Sequence, residues 1–96
     1  MSPINRKKLK VLRKSLDKLD NSFIKLIKKR TLIIKKVLKL KHSRKEIVDK
    51  KRIKFILNQI RKKSIKNKID PKITNRIWKN MIMSYIDYER RNFKKK

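Results

Sequence analysis

Three charged residues occupy helical positions where the surrounding pattern calls for apolar side chains. Arg30 falls on the apolar seam of a long N-terminal helix, with apolar residues a turn away on each side. Lys41 follows eleven residues later, three turns and roughly 20° further round at about 100° per residue, so it returns to the same face. Two long cations about 16 Å apart along a helix can converge on one small anion between them. Glu89 continues the inward face of the C-terminal helix, four residues after Tyr85. The plain alternative for each is a side chain that snorkels to the rim of the core. Arg13 lies on another face, about 25 Å from Arg30 along the helix, and cannot join that site within one chain. An antiparallel partner helix would bring it there.

Other chemistries are excluded by residue type. Cysteine is absent, so disulfides, thiolate metal sites and a cysteine nucleophile are ruled out. His42 is the sole histidine, with nothing beside it in sequence to build a zinc site or a catalytic triad. No metal and no cofactor are expected. The longest apolar runs, such as Leu32-Ile33-Ile34, are far too short to span a membrane, so no membrane partner is expected. The basic N-terminus is not followed by an apolar stretch, which reads as no signal peptide and a cytoplasmic protein.

The elements that must position these residues follow from periodicity. Apolar residues recur at steps of three and four through Leu9, Leu12, Leu16, Leu19, Phe23 and Leu26, then Ile33, Val37 and Leu40. One helix over about residues 5 to 41 would be about 50 Å long, against a radius of gyration near 13 Å for a compact domain of this size. Such a helix must bend back or run along a partner chain. Residues 42–48 lose the pattern and read as a loop. Asp49 is a suitable N-cap for a second helix, with Val48 and Ile53 placed as a hydrophobic staple. That helix carries Ile53, Ile56, Leu57 and Ile60 on one face and fades in the polar run 62–68. Asp70-Pro71 is a strong start signal for a third helix, which turns Ile73, Ile77, Met81, Ile82 and Tyr85 inward and reaches about Phe93. No alternating strand pattern occurs, so the fold class is all-α, with one long and two shorter helices in a single domain of 96 residues whose core spans about 9–93.

The charge balance is extreme: 34 Lys plus Arg against 7 Asp plus Glu, net +27. One reading is a polyanionic partner; the other is compositional, since Gly and Ala are absent while Lys, Ile and Asn abound, as AT-rich codons produce. A nucleic-acid binder should gather its cations on one face with aromatics free to stack. Here they spread over all three helices and the few aromatics fall mostly inward, so no sequence-specific nucleic-acid partner is expected. A structural coiled coil explains neither Arg30 on the seam nor the Asp70-Pro71 start. So positive a surface would in any case attract a small dianion.

Taken in order, the segment 12–20 (LRKSLDKLD), then Arg30, Lys41, Val48-Asp49-Lys50-Lys51-Arg52, Ile69-Asp70-Pro71 and the stretch from Ile77-Trp78 to Glu89 resemble the AroQ-type, all-helical chorismate mutases over about residues 9–93. The resemblance implies an intertwined six-helix homodimer built around the long first helices. It implies rearrangement of chorismate to prephenate, a pericyclic step needing no nucleophile, metal or cofactor. By the same resemblance, Arg30 and the partner chain's copy of Arg13 would bind the two carboxylates, and Lys41 would donate to the ether oxygen of the breaking bond. Asp49 and Arg52 would hold the ring hydroxyl and the shape of the site. Three positions depart from the common bacterial pattern: Ile53 replaces a hydroxyl-binding Glu, Tyr85 a small Ser, and Glu89 a Gln that donates to the ether oxygen. Ile53 and the Tyr85-Ile86 pair look closer to the sister group of isochorismate-pyruvate lyases, which eliminate pyruvate to give salicylate.

Overall fold

The computed structural model describes residues 1–95, and every structured element among them is helical. Helix α1 covers Pro3–Leu40, a short 3₁₀ turn covers Arg44–Glu46, α2 covers Lys50–Lys66 and α3 covers Pro71–Asn92. The chain divides into two units, Met1–Ile34 and Lys35–Lys96.

The first unit is the body of α1. Its start lies at Pro3, ahead of the expected residue 5, because Ser2 acts as a cap: its Oγ accepts a hydrogen bond from the Asn5 N–H at 3.2 Å. Proline at the first helical position lacks only an N–H that would have had no partner there. The three-and-four spacing of the seam appears as a helical stripe, but none of the residues of α1 is buried. Leu12, Leu16, Leu19, Phe23 and Leu26 all stand largely in solvent. Arg13 is exposed among them, whereas Arg30 is half-buried.

The second unit has its own core. The segment between α1 and α2 is an ordered connection rather than a plain loop. The Glu46 carboxylate accepts from the His42 N–H at 2.6 Å, closing the 3₁₀ turn. Arg44 donates from Nη1 to the Arg90 carbonyl at 3.1 Å and sets its guanidinium 5.4 Å from the centre of the Phe93 ring. Ile47 is buried beneath this turn. Asp49 caps α2 as expected, its Oδ1 accepting from the Arg52 N–H at 2.9 Å. Ile53, Ile56, Leu57 and Ile60 are half-buried, again as expected.

Two expectations are corrected here. Helix α2 runs to Lys66 instead of fading after residue 61, because Ser64 supplies a buried anchor inside the polar run: its hydroxyl lies 2.6 Å from the Ile60 carbonyl and 2.6 Å from the Thr74 hydroxyl. That hydroxyl pair also orients α3. With Thr74 turned inward, Thr74, Asn75 and Trp78 join Met81, Ile82 and Tyr85 on the packed side, and Ile86 and Glu89 are buried outright. Ile73 and Ile77, expected inward, are exposed instead.

The turn between α2 and α3 is fixed by backbone bonds. The Ile69 N–H donates to the Ser64 carbonyl at 2.9 Å and the Lys68 N–H to the Ile65 carbonyl at 3.2 Å. This is the Schellman pattern, which needs a left-handed residue just past the helix, and Lys68 takes that role with φ 57°. Asp70 then caps α3 through Oδ1 to the Lys72 N–H at 2.9 Å, with Pro71 following.

Candidate functional site

The strongest feature among the proposed site residues is an ion pair in the second unit. Lys41 Nζ donates to Glu89 Oε1 at 2.9 Å. The two side chains retain 18% and 6% of their exposure, so this is a shielded pair and not a surface contact. Each partner is delivered by simple means. Helix α1 ends at Leu40, one residue short of expectation, and Lys41 follows with its N–H bonded to the Leu38 carbonyl at 3.1 Å. A cation there also faces the carbonyl-rich end of the helix, which favours positive charge. Glu89 reaches the site because Tyr85, Ile86 and Glu89 share the packed stripe of α3 at helical spacing.

Such a pair is costly to desolvate and rewards good geometry, so removing one member leaves an uncompensated charge. It also retains chemical capacity. An ammonium has three N–H donors, of which Glu89 takes one; the remaining two can serve a ligand. The carboxylate accepts only, and donates only when protonated.

Other candidate residues take the following positions. Tyr85 lies half-buried one turn before Glu89 on α3, and Ile53 is half-buried at the start of α2. Asp49 and Arg52 come together through the cap, but the carboxylate meets the Arg52 backbone. The Arg52 guanidinium instead lies 5.3 Å from the centre of the Phe55 ring, a cation–π contact on an exposed face. In the first unit, Arg30 has its Nε shielded from solvent, and Arg13 is exposed near the other end of the same unit. Among the described residues no group of His, Cys, Asp and Glu could hold a metal ion. None of their helices is long and apolar enough to cross a membrane.

Arg44 escaped the sequence reading. It ties the connection that begins at Lys41 to the last turn of α3, next to Glu89 in sequence, and so braces both ends of the ion pair. A usable signal existed in the Arg44-Lys45-Glu46 run ahead of the apolar pair Ile47-Val48, which marks a short structured turn.

No curated protein and no solved structure matches the chain. A family model does: the one described as chorismate mutase type II matches residues 12–90, a span that includes Arg13, Arg30, Lys41, Asp49, Arg52, Ile53, Tyr85 and Glu89. The all-helical order with one long and two shorter helices agrees with that match. The chain belongs to the chorismate mutase type II family.

Proposed function

We propose that the protein is a chorismate mutase acting as an intertwined homodimer. The observation that carries this reading is the shielded Lys41–Glu89 pair in a chain of this family. In the rearrangement the ether C–O bond breaks as a new C–C bond forms, within one molecule and with no atom gained or lost. Negative charge grows on the ether oxygen in the transition state. A preorganised donor beside that oxygen lowers the barrier, because the donor pays no reorganisation at the moment of reaction. Lys41 has N–H groups left for this role.

Arg30 and the partner subunit's Arg13 would hold the two carboxylates, restraining the substrate in its reactive conformation. Arg13 lies 17 residues from Arg30, roughly 25 Å along a helix, so a second chain must supply it. The open seam of the first unit supports the same assembly, since its leucines have no cover within the unit. Asp49 and Arg52 would position the ring hydroxyl, with Ile53 and Tyr85 shaping the walls. The reaction belongs in the cytoplasm.

Glu89 makes the test sharp. As a carboxylate it repels the developing oxyanion, and as an acid it donates to it. Glu89→Gln provides a permanent N–H donor of similar shape and should raise turnover. The measurement is kcat/KM in both proteins, with chorismate and isochorismate supplied separately and prephenate and salicylate followed. An unchanged kcat/KM for chorismate would remove Glu89 from the ether oxygen. Absence of prephenate would overturn the mutase reading, and salicylate formed from isochorismate would establish the lyase alternative that Ile53 and Tyr85-Ile86 favour.

A further inference from the structure

Five of the seven carboxylates are already engaged within the chain. Glu46 closes the 3₁₀ turn, Asp49 and Asp70 cap helices, Asp87 pairs with Arg91, and Glu89 pairs with Lys41. Among the Asp and Glu side chains of the described residues, Asp17 and Asp20 are left to be weighed against the remaining cations of a chain with net charge +27. So large an excess of positive charge attracts external anions. Anions should gather first where cations from different elements face one groove and no carboxylate lines it.

Two grooves in the second unit meet that description: one draws two of its four cations, Lys94 and Lys95, from beyond the end of α3, and the other has all its cations on helices. The latter lies between α2 and α3, has a volume of about 480 Å³, and shares no residue with the Lys41–Glu89 pair. Lys54 and Arg61 stand on the α2 wall and Lys72 on the α3 wall, with Asn58 and Asn75 between them and Leu57 at the base. Lys54 and Arg61 are seven residues apart, two helical turns, or about 10 Å along α2. That spacing lets them flank a ligand of two phosphate groups. Lys72 approaches from the opposite side, and the two amides add N–H donors. The end of α3 is not itself the anion binder, because Asp70 already holds the Lys72 N–H.

We propose that this groove is a binding site for a phosphate-bearing anion, separate from the catalytic reading above. The recognised chemistry is a phosphate group flanked by Lys54, Arg61 and Lys72. Its source is either a small phosphate ester or the backbone of a nucleic-acid strand.

The test uses inorganic pyrophosphate as the probe, titrated at physiological ionic strength by calorimetry and by amide NMR shifts. Two triple variants are compared, each removing three positive charges. Lys54→Gln/Arg61→Gln/Lys72→Gln empties the groove, whereas Lys7→Gln/Lys8→Gln/Lys10→Gln alters α1. If the groove is a site, the first should weaken pyrophosphate about tenfold or more and the second by less than about threefold, since diffuse attraction responds to net charge alone. The wild-type shifts should cluster on residues 54–61 and 71–76. Equal weakening by both variants, or no saturable binding, overturns the proposal. All three groove side chains are exposed, so the fold should persist; circular dichroism and the single Lys54→Gln variant check this. A ten-nucleotide oligouridylate then separates the sources. Affinity well above that for pyrophosphate, with a steeper salt dependence, identifies a strand; no gain identifies a small phosphate ester. Chorismate turnover should be unchanged in the groove variant, so failure of the groove and failure of the mutase reading are separable.

Discussion

Leu12, Leu16 and Leu19 in the first unit are 62%, 58% and 61% exposed, whereas Ile47 and Ile86 in the second unit are 4% and 7% exposed. The two units have similar helical patterning and opposite outcomes. In the second, α2 and α3 face each other and the segment after α1 is tied to the end of α3, so the apolar stripes meet partners inside the unit. In the first, the stripe belongs to one helix and has nothing to meet within that unit. Helical stability in proteins comes mainly from packing an amphipathic face, and the hydrogen bonds of one helix do not substitute for it. Each seam residue would contribute about 1 to 2 kcal/mol if covered. The contrast teaches that the second unit is specified by its own chain, and the first by what covers it. In the proposed dimer the cover is a second copy.

The largest expected effect attacks that asymmetry directly. Leu19→Asp changes a residue that is mostly in water within its own unit. Without a partner it should alter stability by no more than about 0.5 kcal/mol, as surface changes do. With a second copy packed on the seam it loses a buried leucine and buries a charge, so the dimer should dissociate. Sedimentation of both proteins, with Tm followed against protein concentration, decides the matter. A companion experiment mixes Arg13→Ala chains with Arg30→Ala chains, each inactive alone. After subunit exchange, half the dimers are hybrids and each hybrid has one complete site, so about a quarter of wild-type activity should return. No recovery after verified exchange would sink the shared site.

The parts legible in the sequence were those governed by local rules. Asp49 and Asp70-Pro71 announced the starts of α2 and α3, and the period of Ile53, Ile56, Leu57 and Ile60 gave the packed face of α2. The inward placement of Glu89 was also legible, since it lies at helical spacing from Tyr85. What escaped depended on contacts between elements. Ile73 and Ile77 looked like core by hydrophobicity, yet the Ser64–Thr74 hydroxyl pair rolls α3 and leaves them in solvent. Polar residues with small side chains carry no periodic signal, so a pattern built on apolar residues cannot see such a pin. The Lys41–Glu89 contact joins residues 48 apart in sequence. Periodicity placed each only on a face, and it was the family resemblance, which sets both at the ether oxygen, that implied they are neighbours.

A middle-sized effect compares a shielded ion pair with an open one on the same helix. Glu89→Ala leaves Lys41 charged and largely out of water, and should cost about 3 kcal/mol. Asp87→Ala breaks the Asp87–Arg91 pair, which also measures 2.9 Å but has both side chains about two-thirds exposed, and should cost no more than about 0.5 kcal/mol. Chemical denaturation of the two variants at one protein concentration makes the comparison. Similar losses would mean that the Lys41–Glu89 pair is as well solvated as its neighbour, and the second unit less self-sufficient than its burial implies.

The smallest effect tests whether the second unit gains stability from its own turn. Lys68 holds φ 57° at the position that closes the Schellman pattern between α2 and α3. A side chain with a Cβ there costs about 1 to 2 kcal/mol, because the Cβ crowds the following carbonyl oxygen. Glycine removes that strain but loses more conformational entropy on folding, which offsets roughly 0.5 to 1 kcal/mol. The balance favours Lys68→Gly by up to about 1.5 kcal/mol. Lys68 is exposed, so its charge and its methylenes contribute little packing that the change would lose. Removing one cation from a strongly positive chain acts in the same direction. Lys68→Ser separates the two terms, since it removes the charge but keeps the Cβ. Lys68→Gly should raise the unfolding midpoint, with Lys68→Ser gaining less. The shift in free energy should be the same at every protein concentration, because the turn lies within one chain, while the midpoint itself still moves with concentration if the first unit needs its partner. If Lys68→Ser matches Lys68→Gly, relief of charge and not of backbone strain explains the gain, and the turn is not a strained element of the second unit.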